Sequence, residues 1–497
     1  MMLRRFLGLV LIVGLTFKMG IAQKSITYED ALKICLENNL GIKAGQSHIK
    51  AKEKEMKAQR GLFLPRVSLF ANYTMISDDI TIDMNPIKES IMPLYSALSE
   101  YGNFSDVPNP DPATNTIMPT FNDDISTMLV RQNLADGLKK IEASDWNKMV
   151  QKKNFGSLNA NFLLPLYAGG KVRAGNKAAS IYHKEAINEQ DVLVSELSST
   201  LVERYFGLVL AREALKVRQE VFQTMEKHLS DAQKMKDEGV IPNADFLHIK
   251  VYYSEAQRER KKAERTIDIA EEGLSNLLSN QEETTFLPIS NLFINDDLPS
   301  LDVFLAEAKT NSLLLKKVDF KKQLLKTKHG VELKSYLPTV AVSGTYRLAE
   351  KDISEMMPKY FVGVGVQWNI FDGATRFKKL QSSKLESERI DLTYQKVESD
   401  INAIIIKLYN EAKMYIEEFE DLKTAEAFAE EYYRVRQKAF LQGISTTSEV
   451  SDANLAKAKV RIERLQAMYH YDSALAKLLY YTGKPEAFKD YQHNGHQ

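Results

Sequence analysis

Apolar and polar positions alternate along this chain with two periods, and the change from one to the other happens twice. Four stretches alternate every second residue, the period of a strand with one face covered. Val67, Leu69, Ala71 and Tyr73 share one face, with Arg66, Ser68, Asn72 and Thr74 on the other. Leu158, Ala160, Phe162 and Leu164 oppose Ser157, Asn159 and Asn161. Val340, Val342, Tyr346 and Leu348 oppose Thr339, Ser343, Thr345 and Arg347. In the last stretch Val362, Val364, Val366, Trp368 and Ile370 oppose Gly363, Gly365, Gln367 and Asn369. Each run is about ten residues, the length of a tilted strand that crosses a bilayer. A half-buried strand of a soluble sheet has the same pattern.

After each pair of strands the period lengthens to that of a helix. From Asn176 to Glu238 there is no proline and one glycine, Gly207. Val194, Leu201, Leu208, Leu215, Phe222 and Leu229 recur every seven residues, with Leu197, Ala211, Met225 and Ala232 three positions further on. That is a heptad seam, which packs one helix lengthwise on another. About 60 residues of helix span about 90 Å, too long for a compact globule. "GVIPNADFL" breaks the pattern at Gly239, and a return helix carries its own seam at Ile249, Tyr253, Ala256, Ala263, Ile267, Ala270, Leu274 and Leu277. Ile405, Leu408, Ala412, Tyr415, Phe419 and Leu422 repeat the theme before "GISTTSEV" breaks it at Gly443. Glycine followed by proline or by Ser/Thr suits a helix end that leads into a capped helix start.

The two halves align at fixed offsets. Gly169 in "LLPLYAGGKVRAG" and Gly373 in "WNIFDGATRFKK" are 204 positions apart, as are Gly239 and Gly443. Upstream the offset is 273, relating Pro65 in "LFLPRVSLFANYT" to Pro338 in "SYLPTVAVSGTYR", Leu32 to Leu305, and Asn38 to Asn311. The difference of 69 predicts an insertion of about that size in the first copy, between Thr74 and Leu163. The chain reads as a tandem duplication of a strand–strand–helix–helix unit. The first repeat takes 23–280, with short helices at 28–62, strands at 64–75 and 155–167, an insertion at 76–153, and long helices at 172–238 and 243–280. A linker at 281–300 leads to the second repeat, 301–483, with a helix at 301–335, strands at 338–348 and 360–371, and long helices at 375–441 and 446–482. Residues 484–497 read as a C-terminal tail.

Composition agrees with long helices: 14 Pro and 23 Gly among 497 residues, with 27% charged. The 66 basic and 66 acidic residues cancel, so no field favours nucleic acid. Residues 1–22 read as an export signal: Arg4 and Arg5, an apolar run from Phe6 to Phe17, then small residues at Gly20 and Ala22. Cleavage after Ala22 leaves 63 basic against 66 acidic residues. The single cysteine, Cys35, forms no internal disulfide and is too far along for an N-terminal lipid. No later stretch approaches 18 uninterrupted apolar residues, so a membrane passage would be made by strands. Four such strands do not close a barrel, and an open edge in lipid is not tolerated. Two copies give eight strands and three give twelve, and either satisfies the arithmetic. A barrel continuous with a tube of long helices is a conduit.

At this point the sequence resembles the TolC-type outer-membrane efflux family, across residues 25–483. The resemblance is carried by the duplicated strand–strand–helix–helix order, the paired "PLYAGG" and "NIFDGA" turns, and the two helix tips at Gly239 and Gly443. It implies a mainly α protein with membrane β, a homotrimer forming a 12-stranded β-barrel continuous with an α-helical coiled-coil tunnel. It implies localisation in the bacterial outer membrane with the tunnel in the periplasm. It implies an exit duct of a tripartite efflux or type I secretion system, passively conducting small molecules or proteins. An inner-membrane pump and a periplasmic adaptor, or membrane fusion protein, would be its partners, beside outer-membrane lipid.

The resemblance also points to sites. Glu449 and Asp452 match the family's pair of acidic residues one turn apart that ring the closed tunnel entrance, with Glu where Asp is usual at position 449. Plain helix capping is the alternative for this pair. Three copies would place six carboxylates at a constriction, favouring cations and resisting closure by like-charge repulsion. In the first copy Asp245 and His248 hold the same places, giving a weaker and pH-sensitive ring. Gly239, Pro242, Gly443 and Ser445 mark the tips expected to dock an adaptor. Pro65, Pro338, Tyr167, Gly169, Gly170, Phe371 and Gly373 mark the barrel–tunnel junction, with Tyr167 and Phe371 as interfacial aromatics. The insertion is expected at the extracellular end, as a long exposed loop, as a plug or lid of the barrel, or as a site for a surface partner, with a helical stretch over Met128 to Val150.

Catalysis has little support. HExxH, GxSxG, P-loop and CxxC motifs are absent, and the eight histidines, at 48, 183, 228, 248, 329, 470, 493 and 496, are scattered. No cofactor and no metal are expected. "GVGV" at Gly363 to Val366 lies within an alternating strand rather than before a helix. Two other classes remain open on the residues alone: a non-channel periplasmic adaptor or coiled-coil scaffold, and an exported enzyme.

Overall fold

A computed structural model describes residues 24–278 and 286–496. The signal reading, 1–22, lies outside the described residues, as do 279–285 at the start of the expected linker. In chain order the first elements are β1 (Lys24–Ile26), α1 (Tyr28–Asn38), α2 (Leu40–Arg60), β2 (Arg66–Met75), β3 (Ile80–Asp83), α3 (Asn85–Tyr101), α4 (Asp123–Ala143) and β4 (Asn147–Gln151). Next come β5 (Asn154–Ala168), α5 (Lys171–Asp237), α6 (Asn243–Leu277), β6 (Phe286–Pro288), α7 (Leu301–Asn311) and α8 (Leu313–Lys334). The rest are β7 (Thr339–Lys351), β8 (Tyr360–Gln367), α9 (Thr375–Leu441), α10 (Thr447–Thr482) and α11 (Phe488–Asn494). They fall into two units: one holds the residues up to Arg60, Lys171–Lys334 and those from Asp372 on; the other holds Gly61–Gly170 and Ser335–Phe371.

The helical unit is organised by α5 and α9, each 67 residues long. α5 packs on α6, α10, α2 and α8, and α9 on α10 and α8. The heptad seam supplies part of this: Leu201, Leu208, Ala211, Met225 and Ala232 are buried. A second stripe at Val202, Val209, Val217 and Val221 is buried as well, because α5 has neighbours on more than one side. Fully burying a side chain of this size contributes about 1.5–3 kcal/mol. On α9 the seam residues Ile405, Leu408, Ala412 and Phe419 are buried.

An aromatic core closes the middle of this unit. Phe206 lies 5.7 Å from Tyr28, 5.2 Å from Tyr205 and 5.9 Å from Phe488, measured between ring centroids. The Tyr205 hydroxyl donates to the Ile26 carbonyl at 2.7 Å and accepts from Ile289 and Ser290 N–H groups at 3.1 and 3.0 Å. β1 and β6 pair in parallel beside it. Two sequence readings change here. The described part of the expected linker is core, with Leu292, Phe293 and Ile294 buried. The expected tail forms α11, whose Phe488 is buried and 5.6 Å from Phe293. Short apolar clusters between polar residues give no periodicity, so sequence pattern does not reveal their burial.

The helix expected over 301–335 is two helices, broken at Ser312 (φ −51°, ψ 119°). The same break separates α1 from α2 at Asn39, whose side-chain oxygen accepts from the Gly41 and Ile42 N–H groups at 2.8 and 3.2 Å.

The strand unit is a four-stranded antiparallel sheet in the order β2-β5-β7-β8. Arg66 faces Leu163 and Met75 faces Asn154 in the first pairing. The β5–β7 register slips between Pro165 and Tyr167, where proline has no N–H to donate. β2 and β8 are the edges. β8 stops at Gln367 rather than running on to 371, because its partner β7 begins at Thr339, opposite Gln367. The Trp368 indole instead donates to the Tyr336 carbonyl at 3.0 Å. Alternation on β2 and β8 does not separate a covered face from an open one in a single chain. Residues of both parities are exposed, including Leu69, Phe70, Val362 and Phe361.

The insertion is an ordered arm. β3 and β4 pair as a short ribbon, α3 packs on α4, and α4 ends at Ala143, so the helix expected to reach Val150 gives way to β4. Residues between the two helices are pinned to α4: Thr127 Oγ1 exchanges hydrogen bonds of 2.9 Å with Phe104 N–H and C=O, and Arg131 Nε donates to the Gly102 carbonyl at 2.8 Å.

Candidate functional site at the helix tips

The two helical hairpins turn in the same way. Gly239 and Gly443 adopt left-handed backbone, φ 76° and 73°, which glycine enters without steric cost. Val240 N–H then reaches back to the Met235 carbonyl at 2.7 Å, and Ile444 N–H to the Ala439 carbonyl at 2.9 Å. Each turn thereby satisfies a carbonyl that the helix end leaves open. The re-entry differs. Pro242 caps α6 without a side-chain hydrogen bond, whereas Thr446 caps α10 in a full capping box with Glu449.

That box decides what Glu449 does in this conformation. Its carboxylate accepts from the Ser445 hydroxyl at 2.6 Å and the Thr446 N–H at 2.9 Å, while Glu449 N–H donates to Thr446 Oγ1 at 3.3 Å. Arg436 stands 3.4 Å away. The Ser445 hydroxyl, then the Thr446 N–H, hold the Glu449 carboxyl below its usual range. Ser445 is buried by the same arrangement. Asp452, one turn on, faces the other hairpin: Tyr252 OH donates to its Oδ1 at 2.7 Å. That bond raises the Tyr252 hydroxyl's pKa, since the carboxylate favours the protonated donor. The His248 ring lies 4.9 Å from that of Tyr252, and Asp245 stays exposed on the first turn of α6.

Glu449 and Asp452 therefore share a helix face but have separate engagements, one within its own turn and one across to α6. Tyr252 links His248 and Asp452 and was not singled out in sequence. Tyr253, on the seam, carries the packing signal, and its neighbour shows only a hydroxyl one turn after His248. Val240, Leu441 and Ile444 are exposed around the two turns.

The residues expected at the junction sit at strand ends. Pro65 and Pro338 each immediately precede a strand, β2 and β7. Tyr167 pairs with Val340 in the sheet, and Phe371 lies beyond β8, 85% exposed. Gly169, Gly170 and Gly373 all have positive φ, of 59°, 76° and 64°. Ala374, at the position equivalent to Gly170, also has φ 64°. Among the described residues no group of acidic, His or Cys side chains is placed to hold a metal ion, and no helix is long and apolar enough to cross a membrane.

Long paired helices, hairpin tips and a four-stranded sheet with open edges define the class, and the sequence agrees: residues 304–484 match the outer membrane efflux protein family. The resemblance read from the motifs holds, and the match falls on the stretch read from the offsets as a second repeat. Among solved structures, the fold is similar to that of the outer membrane protein VceC of Vibrio cholerae, 12% identical, covering 92% of this chain and 96% of that one, TM-score 0.66. It is similar to the Campylobacter jejuni CmeC outer membrane channel, 13% identical, covering 94% and 89%, TM-score 0.67. The open state of the Neisseria gonorrhoeae MtrE outer membrane channel is likewise similar, 12% identical, covering 92% and 89%, TM-score 0.60. No curated protein sequence matches significantly. The family is one of efflux channels, not enzymes.

Proposed function

We propose that this chain is the outer-membrane exit duct of a tripartite efflux or type I secretion system. In this reading three copies form a 12-stranded barrel and a continuous helical tunnel. The observation that carries the reading is the sheet with two unpaired edges, β2 and β8, flanked by exposed apolar side chains. In lipid every backbone N–H and C=O needs a partner, so β8 of one copy must meet β2 of the next. Apolar side chains on that sheet, such as Val364 and Val366, then face hydrocarbon. Leu385, Leu392 and Ile406, in one heptad register on α9 and exposed in one chain, supply a seam for helices of neighbouring copies. The two inferences agree on oligomerisation from separate elements.

The tips supply gate and dock. Asp452 and Glu449, with Asp245 and His248, would ring the entrance, and the Tyr252–Asp452 hydrogen bond would hold the hairpins together in the narrow state. Gly239, Pro242, Gly443 and the exposed Val240 and Ile444 form the end that a periplasmic adaptor would grip, with an inner-membrane pump beyond it. The duct itself conducts passively.

The test is to purify the mature protein in detergent, measure its mass by light scattering, and record it in planar bilayers. A trimer with single-channel conductance is expected. A monomer that never conducts would sink the proposal and favour the scaffold reading.

A further inference from the structure

The arm built by the insertion carries a helix face that its own chain leaves open. α3 turns Tyr95 onto Gly137 of α4, where a Cβ would lie 3.4 Å from the ring, and Lys88 Nζ donates to the Glu142 carbonyl at 2.9 Å. Ile91 and Leu98 lie at the border of this contact, half-buried. Beyond them the apolar arc continues. Ile87, Leu94 and Tyr101, spaced by sevens, are 47%, 58% and 72% exposed. Ser90 and Ala97 stand three positions after the first two, exposed and small. The open part of the arc has heptad spacing over about 21 Å of helix.

Two observations say what covers it. First, the stripe holds no charged side chain, although α3 carries Lys88, Glu89 and Glu100 on other faces. Symmetry-related copies bring like residues together, so a charged stripe would repel itself and this one does not. Second, the arm is fixed to the strands that must meet other copies. The Ile76 N–H donates to the Lys153 carbonyl at 2.9 Å, carrying the β2–β5 ladder on towards β3 and β4. Gln151 Nε2 donates to the Asp352 carbonyl at 2.7 Å, its Oε1 accepts from Ser354 N–H at 2.9 Å, and Lys152 pairs with Asp352 at 2.6 Å. The root of the arm is thus tied both to edge strand β2 and to the β7–β8 connection. Whatever brings edges of neighbouring copies together brings their arms together too.

We propose that the α3 helices of three copies pack against one another through Ile87, Leu94 and Tyr101, forming a threefold helical plug over the outer mouth of the barrel. This inference rests on the trimeric barrel proposed above, and the experiment separates the two.

Leu94→Cys is made in the full-length protein with Cys35→Ala, and purified protein is treated with a short bismaleimide. Gln132→Cys, on the exposed side of α4, serves as control. Oligomeric mass is measured on the same samples by light scattering. The expected result is a shift of the Leu94→Cys band to twice the subunit mass, absent for Gln132→Cys, on a particle of three chains. Trimers whose Leu94→Cys chains do not cross-link would overturn the plug and leave the barrel standing. A monomeric parent would overturn both. Leu94→Glu provides a second reading: like charges on the seam should part the arms and raise single-channel conductance. Conductance equal to that of the parent counts against the plug.

Discussion

Asp472 lies wholly inside the core beside Tyr471, and neither carboxylate oxygen has a hydrogen-bond partner. Burial drives its pKa well up, and the nearby Phe293 N–H, which favours the ionised form, only partly opposes this. The unfolded chain ionises near pH ~4, while the folded chain holds its proton to higher pH. Between those values the folded state holds a proton at Asp472 that the unfolded chain has lost, so this group's contribution to stability is present in acid and falls as pH rises. Asp472→Asn keeps the shape without the charge. It should gain about 1–3 kcal/mol at neutral pH and flatten the fall of apparent Tm above pH ~4, measured by thermal melts in detergent. At the tips, Tyr252→Phe removes the bond to Asp452 while keeping the ring. Losing it should cost about 0.5–1.5 kcal/mol and raise the open fraction in bilayer recordings; an unchanged open fraction would detach Tyr252 from gating. Glu449→Ala should instead loosen the start of α10 by removing one half of its capping box, read as a lower apparent Tm. The capping read as the alternative for this pair is what Glu449 does, and Thr446 three positions before it is a local signal of it. The bond from Tyr252 to Asp452 crosses from one hairpin to the other, which spacing along one helix does not encode.

Among elements, the turns that leave the sheet are the clearest case of one rule met in two ways. Gly169–Gly170 and Gly373–Ala374 both need two successive left-handed residues, and alanine fills the last place at a steric cost of about 1–2 kcal/mol. Ala374→Gly should recover much of this, reduced by the greater freedom of glycine in the unfolded chain, and raise the apparent Tm. No rise would mean that the surroundings already relieve the strain. The long helices and four strands were legible because their periods run for many residues. What failed was local. The end of β8 depends on where β7 starts, and the break at Ser312 carries no glycine or proline, only a buried serine beside the Leu313 carbonyl that accepts from Asn188 of α5. α11 and the chain around Leu292–Ile294 are too short for periodicity, so their burial appears only in three dimensions.

For the whole molecule, the fixed offsets pointed to an insertion between Thr74 and Leu163 but said little of the form of the chain there, which runs β3, α3, α4 and β4. Pro86 at the start of α3 and the Asn122 cap of α4 are local signals of helices. The contact between α3 and α4, and the open stripe left over, depend on how the hairpin folds back. One feature of the core bears on how the protein is made. β1 is among the first described residues to be synthesised, yet its parallel partner is β6, and Tyr28 beside it packs 5.2 Å from Phe488 near the far end. Contacts so distant in sequence form slowly, and no partial chain can complete them. The core closes only after nearly the entire chain has been released. Until then the aromatic core around Tyr28 and Phe206 stays open, whereas each long seam can already pack within its own hairpin, α5 on α6 and α9 on α10.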